Sequence, residues 1–485
     1  MYLNNLKLFV LLAFLMYSCS TLSGCKKLVE VELPIDRNTA QEVYNSQILT
    51  SHAITGIYSR LAQGNDFVGS TLELSVSPSL LADEIKPFTN ESTDRKYINN
   101  LNGDNSFLLW NPAYKEIIYP LNSIIEGVEN SKKLPNEFKN KVLGEAKFTR
   151  AWIYFYLVNY YGDIPLVLST DFKVNSNLSR SSKDQVYAQL VKDLSDAQLL
   201  LDSKYLAIDL ISSSEDRIRP NRGAATALLA RVNLYQQEWA KAEVEATKLI
   251  EDKINFDTVA LNSVFLKNSK EAIWQLQPNP SDQNGNINTP DGRTFLPSKA
   301  KFRPLFFTLT NILYDDFEFG DQRKVKWITQ TSIAGINYNI AFKYKLGNKD
   351  YSTNSEQQEY TTVLRLAEQY LIRSEARAHQ NNLSGALSDL NVIRKRASLA
   401  PITSGSQEEI LKLIMHERRV EFFTEFGHRW LDLKRTTTIN EVMVKICPQK
   451  GGVWAPFKAL LPIPFNEFRT NPSLRGHQNP GYSEL

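Results

Sequence analysis

Two stretches of this chain, 144 residues apart, carry the same pattern. Ala230-Arg231-Val232-Asn233-Leu234-Tyr235, then Trp239 and Ala242, lies on Ser374-Glu375-Ala376-Arg377-Ala378-His379, then Leu383 and Ala386. Small residues where paired helices approach closely, with a bulky apolar residue at the turn, form the tetratricopeptide pattern. A hairpin of this kind cannot bury its apolar face alone, so it must stack on a neighbour. With the copies so far apart, the expectation is a discontinuous array with loops inserted between its units.

Helical periodicity elsewhere supports an all-α, mostly helical fold. It predicts helices over 41–62, 110–128 with an interruption near Pro120, and 138–161, the last closed by Gly162 and Pro165. Further helices are expected over 186–201, 224–237, 240–250, 360–379 and 384–397. Between them, residues 277–301 are rich in Pro, Asn, Asp and Gly and read as loop.

The amino terminus has a separate logic. Behind Lys7, an apolar run over 8–17 has the length of a signal-peptide core and is too short to span a bilayer. Leu22-Ser23-Gly24-Cys25 follows, and small residues before a cysteine are what a lipoprotein signal peptidase requires. Residues 1–24 are therefore expected to be removed, and Cys25 to carry the lipid that tethers the exported chain. Cys19 is a poorer candidate, since Met16 and Tyr17 stand where aliphatic and small residues are wanted. With Cys25 lipidated, Cys447 has no partner for an intrachain disulfide.

The usual signatures of catalysis are missing. Lys plus Arg number 56 against 53 Asp plus Glu, a net charge of +3, which gives no field suited to nucleic acid. His416-Glu417-Arg418-Arg419-Val420 begins like a zinc-protease helix but lacks the second histidine one turn on. The five histidines show no ligand spacing, and there is no Gly-x-Ser-x-Gly elbow or phosphate-binding glycine loop. Cys447 reads as a buried residue. Asp315, Asp316, Glu318 and Asp321 lie close in sequence and read as solvated or ion-paired acids; a glycosidase would need two of them across a cleft. Ser406 and Glu409 match a capping box, and Glu417, Glu421 and Glu425 among Arg418, Arg419 and Arg429 suit an ion-pair network between helices. No metal or cofactor is expected.

The polar insertions carry the recognition chemistry. Phe295 follows Asn284, Asn286, Asn288, Asp291 and Arg293; Trp327, Tyr338 and Tyr344 stand among Asn337, Asn339 and Lys343. Rings beside amides and charges suit a platform on which sugar faces or peptide side chains stack. Trp327, Phe295 and Tyr338 are the expected stacking residues, with Asn337 and Asp291 as hydrogen-bonding partners. For any single ring, anchoring its loop to the helical body is the competing role.

Blocks along the chain resemble the SusD/RagB family of nutrient-binding outer-membrane lipoproteins. They run from Ala53-Ile54-Thr55-Gly56-Ile57-Tyr58, through Trp110, Tyr114 and Asn122, to Glu145-Ala146-Lys147-Phe148-Thr149-Arg150-Ala151-Trp152 and Tyr161-Gly162-Asp163-Ile164-Pro165-Leu166. The segment from Leu366 to Ala376 is similar as well. The most specific blocks are Glu417-Arg418-Arg419, Glu421, Gly427-His428-Arg429-Trp430, Asp432-Leu433 and Arg435, then Leu461-Pro462-Ile463-Pro464, Glu467, Asn471-Pro472 and Gln478-Asn479-Pro480-Gly481-Tyr482. The resemblance implies tetratricopeptide-like hairpins in a right-handed superhelical scaffold with a loop-rich ligand-binding subdomain. It implies a non-enzymatic protein, palmitate-type acylation at the anchor, and a SusC-type TonB-dependent transporter over which the chain sits as a lid. Family ligands are chiefly oligosaccharides, with peptides in some members. The chain departs from the family at Lys26-Lys27, where an acidic cluster often marks export to the outer face, and at Arg475-Gly476-His477, which lengthens the last motif.

The expected organisation is a signal peptide over 1–24, an N-terminal helical region over 25–275, a loop-rich ligand-binding insertion over 276–350 and a C-terminal region over 351–485. The expected function is capture of oligosaccharides, or peptides, at the outer membrane, facing the exterior, and their delivery to the transporter. Two alternatives stay open: a lipoprotein glycan hydrolase, and a repeat scaffold that binds only proteins.

Overall fold

The computed structural model describes residues 39–62, 71–104, 109–278, 289–297, 304–346 and 357–484. Cys25, Lys26 and Lys27, and Asn284, Asn286 and Asn288, lie outside the described residues. The chain divides into two units, Met1–Val43 and Tyr44–Leu485. In the first, the short helix Ala40–Val43 is capped reciprocally by Thr39 and Glu42.

The second unit is helical. Its longer helices are α1 (Gln47–Ala62), α2 (Thr71–Leu81), α3 (Tyr119–Asn130), α4 (Asn136–Tyr161), α5 (Lys183–Leu200), α6 (Arg222–Tyr235) and α7 (Trp239–Glu251). They continue with α8 (Leu366–His379), α9 (Leu383–Arg396), α10 (Gln407–Phe422), α11 (His428–Arg435) and α12 (Ile439–Gln449). Among the described residues no helix is long and apolar enough to cross a membrane.

α4 is the central post. Phe148, Trp152, Tyr154, Phe155, Tyr156 and Tyr160 point to different sides, and all are buried. A helix that is apolar all round must be surrounded. Its charged residues are buried only where they are paired: Glu145 accepts from Arg219, and Arg150 forms a two-pronged bridge to Asp193. The helix stops at Gly162, whose φ of 74° a residue with a Cβ adopts only at a cost.

Against this post the hairpins stack in order. α4 packs on α5, α5 on α6, α6 on α7, α7 on α8 and α8 on α9. The two hairpins expected from the 144-residue repeat therefore adjoin in space. Trp239, the bulky residue at the first turn, lies flat on His379 at the end of α8, with ring centroids 3.9 Å apart. Ser374 sits at a close-approach position and donates its hydroxyl to the Ala386 carbonyl at 2.7 Å.

Two expectations are corrected. The helix beginning at Trp110 is not interrupted at Pro120. A π-turn over Ala113–Ile118 sets the Tyr119 amide onto the Tyr114 carbonyl and carries the chain into α3. This irregularity accommodates the proline's missing N–H without a break. Second, the helix expected from residue 360 begins at Leu366, because Thr361–Arg365 is a strand. Its β-branched residues pair antiparallel with Ala272–Leu276 inside the core, and both strands are buried on both faces.

The described strands are β1 (Ile85–Pro87), β2 (Ala272–Leu276), β3 (Phe307–Leu309), β4 (Ile328–Ile333), β5 (Ile336–Ala341) and β6 (Thr361–Arg365). They form three antiparallel pairs, β1 with β3, β2 with β6, and β4 with β5. β1, β3, β4 and β5 lie beside a second core made by Phe265, Phe295, Trp327, Tyr344 and Phe423.

Candidate functional site

The loop-rich side is ordered by its short strands. β4 and β5 join through Ala334 and Gly335, both left-handed with φ of 51° and 79°, the twist a two-residue hairpin turn favours. In this register Thr331 faces Tyr338 and Ser332 faces Asn337. Side chains alternate across a strand, so Tyr338 shares one face with Thr331 and Ile340, while Asn337 shares the other with Ser332, Gln330 and Asn339. The second face is wet, and Gln330 donates across it to Asn339 at 3.0 Å. The first packs on Leu296, Leu305, Phe88 and Phe342.

Three rings meet the surface here. The Phe88 amide donates to the Phe306 carbonyl at 2.8 Å, continuing the β1–β3 ladder by one residue. Phe88 and Tyr338 are half-buried and meet edge to face at 5.2 Å and 88°. Phe306 is 47% exposed. Because β3 packs on β5, strand backbone holds all three rings. Beside them Lys86 is neutralised by Glu91 at 3.3 Å. Among the described residues the face thus offers apolar ring surface with little net charge.

The other expected site residues lie elsewhere. Trp327 has no exposed surface; its indole N–H donates to the Leu261 carbonyl at 3.0 Å and the Lys343 ammonium sits 4.9 Å over its ring. Phe295 is 4% exposed, in the same core. Neither ring offers a face to a ligand, which corrects the stacking role expected of them: loop position does not mean exposure where a loop folds over its own core. Asp291 is also buried, at 4% exposure, so it cannot assist a surface ring. Asn337 is exposed but on the face opposite Tyr338. Tyr338 alone of these keeps a ring at the surface. Phe88 and Phe306 flank three-residue strands, too short to show a period, so their spacing in the sequence does not single them out.

Lys343, just past β5, belongs to a buried ionic layer. Lys343 donates to the Glu421 and Phe423 carbonyls, each at 2.8 Å, and to Glu425. Arg365 bridges Glu271, Glu421 and Glu425, and Arg323 bridges Asp321, Glu417 and Glu421. The network expected around Glu417, Glu421 and Glu425 therefore exists, but with other partners: Arg418 turns to Asp432, and Arg419 and Arg429 to Asp83. The Ser406–Glu409 capping box is present, and Cys447 is buried. Burial pushes the Lys343 ammonium down to about 8 and the Asp291 carboxyl up to about 7. Asp291 Oδ2 has no hydrogen-bond partner among the described residues. The layer pins α10 and the segment after it to the loop-rich side, and its charges are matched internally.

A cavity of about 740 Å³ lies between the hairpins and α10, lined by Trp239, His379, Lys412, Arg419, Arg429 and Arg435 among others. Arg419 and Arg429 are tied to Asp83, and Arg435 to Glu375 and Asp432, so its arginines are already paired. Among the described residues no group of His, Cys, Asp and Glu converges as a metal site would.

Comparison with known proteins bears on this architecture. Residues 316–482 match the family model described as SusD family, and residues 29–234 match one described as starch-binding associating with outer membrane. Two SusD-like proteins of Formosa agariphila are similar at 24% and 27% identity, covering 96% and 95% of this chain and 97% of each relative. A SusD superfamily structure from Bacteroides vulgatus matches with a TM-score of 0.74 at 21% identity, over 89% of this chain and 98% of that one. Surface glycan-binding protein A from Bacteroides uniformis matches with a TM-score of 0.74 at 20% identity, over 90% and 99%. These likenesses show a common fold.

Proposed function

We propose that this chain, which the two matched models place in the SusD family, is a surface lipoprotein that captures neutral oligosaccharides and passes them to a TonB-dependent transporter of SusC type. The observation that carries this reading is the trio Phe88, Tyr338 and Phe306, held at the surface by strand backbone in near-neutral surroundings. A pyranose has an apolar C–H face that covers a ring and a rim of hydroxyls that seek neutral partners. An anionic polymer would look for unpaired cations, and Lys86 is already paired.

Similar proteins support the same reading: one matched family model is described as starch-binding, and one structural neighbour is named a surface glycan-binding protein. The anchor is the lipidated Cys25, the mature chain faces the exterior, and the hairpin stack is the rigid part that seats on the barrel. Residues 276–350 supply most of the ligand face, with Phe88 contributed by the N-terminal region. The protein makes and breaks no bond in this scheme. Binding is weak enough to release, and delivery follows when the lid opens or closes over the barrel.

The test is affinity electrophoresis of the leaderless chain through gels cast with neutral polysaccharides, together with purification of the acylated chain from outer membranes. Retardation by at least one polysaccharide and co-purification of a transporter barrel support the proposal. Migration unaltered by every polysaccharide, or a mature terminus without acyl groups, contradicts it.

A further inference from the structure

A second cavity, of about 580 Å³, lies beside the C-terminal end of α4 and shares no residue with the aromatic face described above. Its lining includes Trp110, Tyr114, Tyr119, Phe172, Asn175 and Asn471. That volume is in the range of small-ligand clefts.

The floor is rigid. Trp110 is 1% exposed and packs edge to face on Tyr161 at 4.9 Å, and the Tyr114 hydroxyl donates to the Pro165 carbonyl at 2.7 Å. Asn471 is held in place, donating to the Leu178 carbonyl and accepting from the Ser473 amide. The walls differ from the floor. Tyr119 is 51% exposed, and Phe172, on the short helix Phe172–Asn175, is 80% exposed. Two large rings thus line one concavity with much of their surface uncovered.

The polar complement is specific. The Asn175 amide donates to the Ser169 carbonyl at 2.8 Å, which fixes the orientation of the group. Its Oδ1 is then left buried with no hydrogen-bond partner among the described residues. That oxygen is closed off from the cleft, whose accessible neutral polar lining is Asn111, Ser176 and Thr470. The charged lining is Lys115 and Glu467, one of each sign; Lys115 lies near Glu116 at 3.6 Å, and Glu467 accepts from the Trp110 indole. With one charge of each sign, the lining has no net charge to favour an ionic ligand. An acyl chain or the apolar face of a helix would cover the rings but leave the neutral polar groups of Asn111, Ser176 and Thr470 unmet. A sugar unit satisfies both demands, with its C–H face against Phe172 and Tyr119 and its hydroxyls toward Asn111, Ser176 and Thr470.

We propose that this cleft is a second saccharide site, separate from the loop-borne face and taking a neutral pyranose unit. The proposal rests on the reading that the protein binds glycans, and adds that it holds them at two places. One long chain, or two, could then be retained with an avidity neither site provides alone.

The test is calorimetric titration of the leaderless chain with maltoheptaose, laminarihexaose and xylohexaose. The proteins are the wild type, Tyr119→Ala/Phe172→Ala, Phe88→Ala/Tyr338→Ala and the fourfold variant. The cleft rings are exposed, so that double variant should unfold within a few degrees of wild type. For a bound saccharide, the cleft variant is expected to lose one class of site or to bind about tenfold more weakly, and the fourfold variant to lose all binding. Phe172→Trp gives a second readout, an emission change on titration that persists in the Phe88→Ala/Tyr338→Ala background. Unaltered affinity and stoichiometry in the cleft variant, with all binding lost in the loop-face variant, overturns the cleft and leaves the loop-face reading standing. Unaltered binding in the loop-face variant, with loss in the cleft variant, does the reverse. Binding of none of the three saccharides by the wild type overturns both.

Discussion

Arg231 and Glu368 meet in a buried two-pronged ion pair, Nε to Oε1 at 2.7 Å and Nη2 to Oε2 at 2.6 Å. They lie on α6 and α8, so this pair joins the two repeat hairpins across a sequence separation of 137. Both are 1% exposed. Removing one partner strands the other charge, so Glu368→Ala should cost about 3–5 kcal/mol in urea unfolding, whereas Arg231→Met/Glu368→Leu should cost far less. A loss in the double variant equal to that in the single would show that the pair does more than match its own charges.

Asp291 makes stability depend on pH. Its carboxyl is raised by burial to about 7. The folded state therefore keeps a proton that the unfolded chain releases near pH 4. Its contribution is full below that pH, falls as pH rises, and is gone above about 7. Glu84, also raised by burial to about 7, adds a slope of the same sign. Asp291→Asn should remove part of the slope, gaining on wild type between pH 5 and pH 7.5 in denaturant midpoints. An unchanged difference across that range would refute the assignment.

Trp327 and Phe295 should behave as core residues. Truncation of either to Ala should cost about 3–5 kcal/mol, read by thermal or denaturant unfolding. Phe88→Ala and Tyr338→Ala, at half-buried positions, should cost less stability and more affinity. The opposite ranking would restore the ligand role to the buried rings.

Gly427 opens α11 with φ of 70°, and a Cβ there would stand 2.4 Å from the Tyr160 hydroxyl and 2.7 Å from Pro78 Cγ. Backbone strain and a clash with a proline ring act together. Gly427→Ala should therefore lose about 2 kcal/mol or more, measured by chemical denaturation; a neutral result would mean that α2 yields there.

The helical body was legible because its signals are long and redundant. Fourteen-residue helices such as α6 and α8 repeat their period several times, and Ala230 and Ser374 mark the close approaches. What misled lay at the junctions. Thr361–Arg365 adjoins a helix without a breaker and becomes a strand only because β2 offers it a partner. The face was harder. Trp327 and Tyr338 look alike in sequence, rings in polar loops, yet one is wholly buried and the other is not. The difference lies in Leu261, Phe265 and Phe423, distant residues that close over Trp327. Asn337 and Tyr338 are neighbours that the pleat sends to opposite sides, a fact that required the strand register.

Calorimetric titration of the leaderless chain against neutral oligosaccharides, with product analysis after each run, tests the central claim most directly. The account predicts saturable binding of at least one oligosaccharide, recovered uncut, and at least about tenfold weaker binding by Phe88→Ala/Tyr338→Ala. Binding of none, or cleavage of the one that binds, would contradict it.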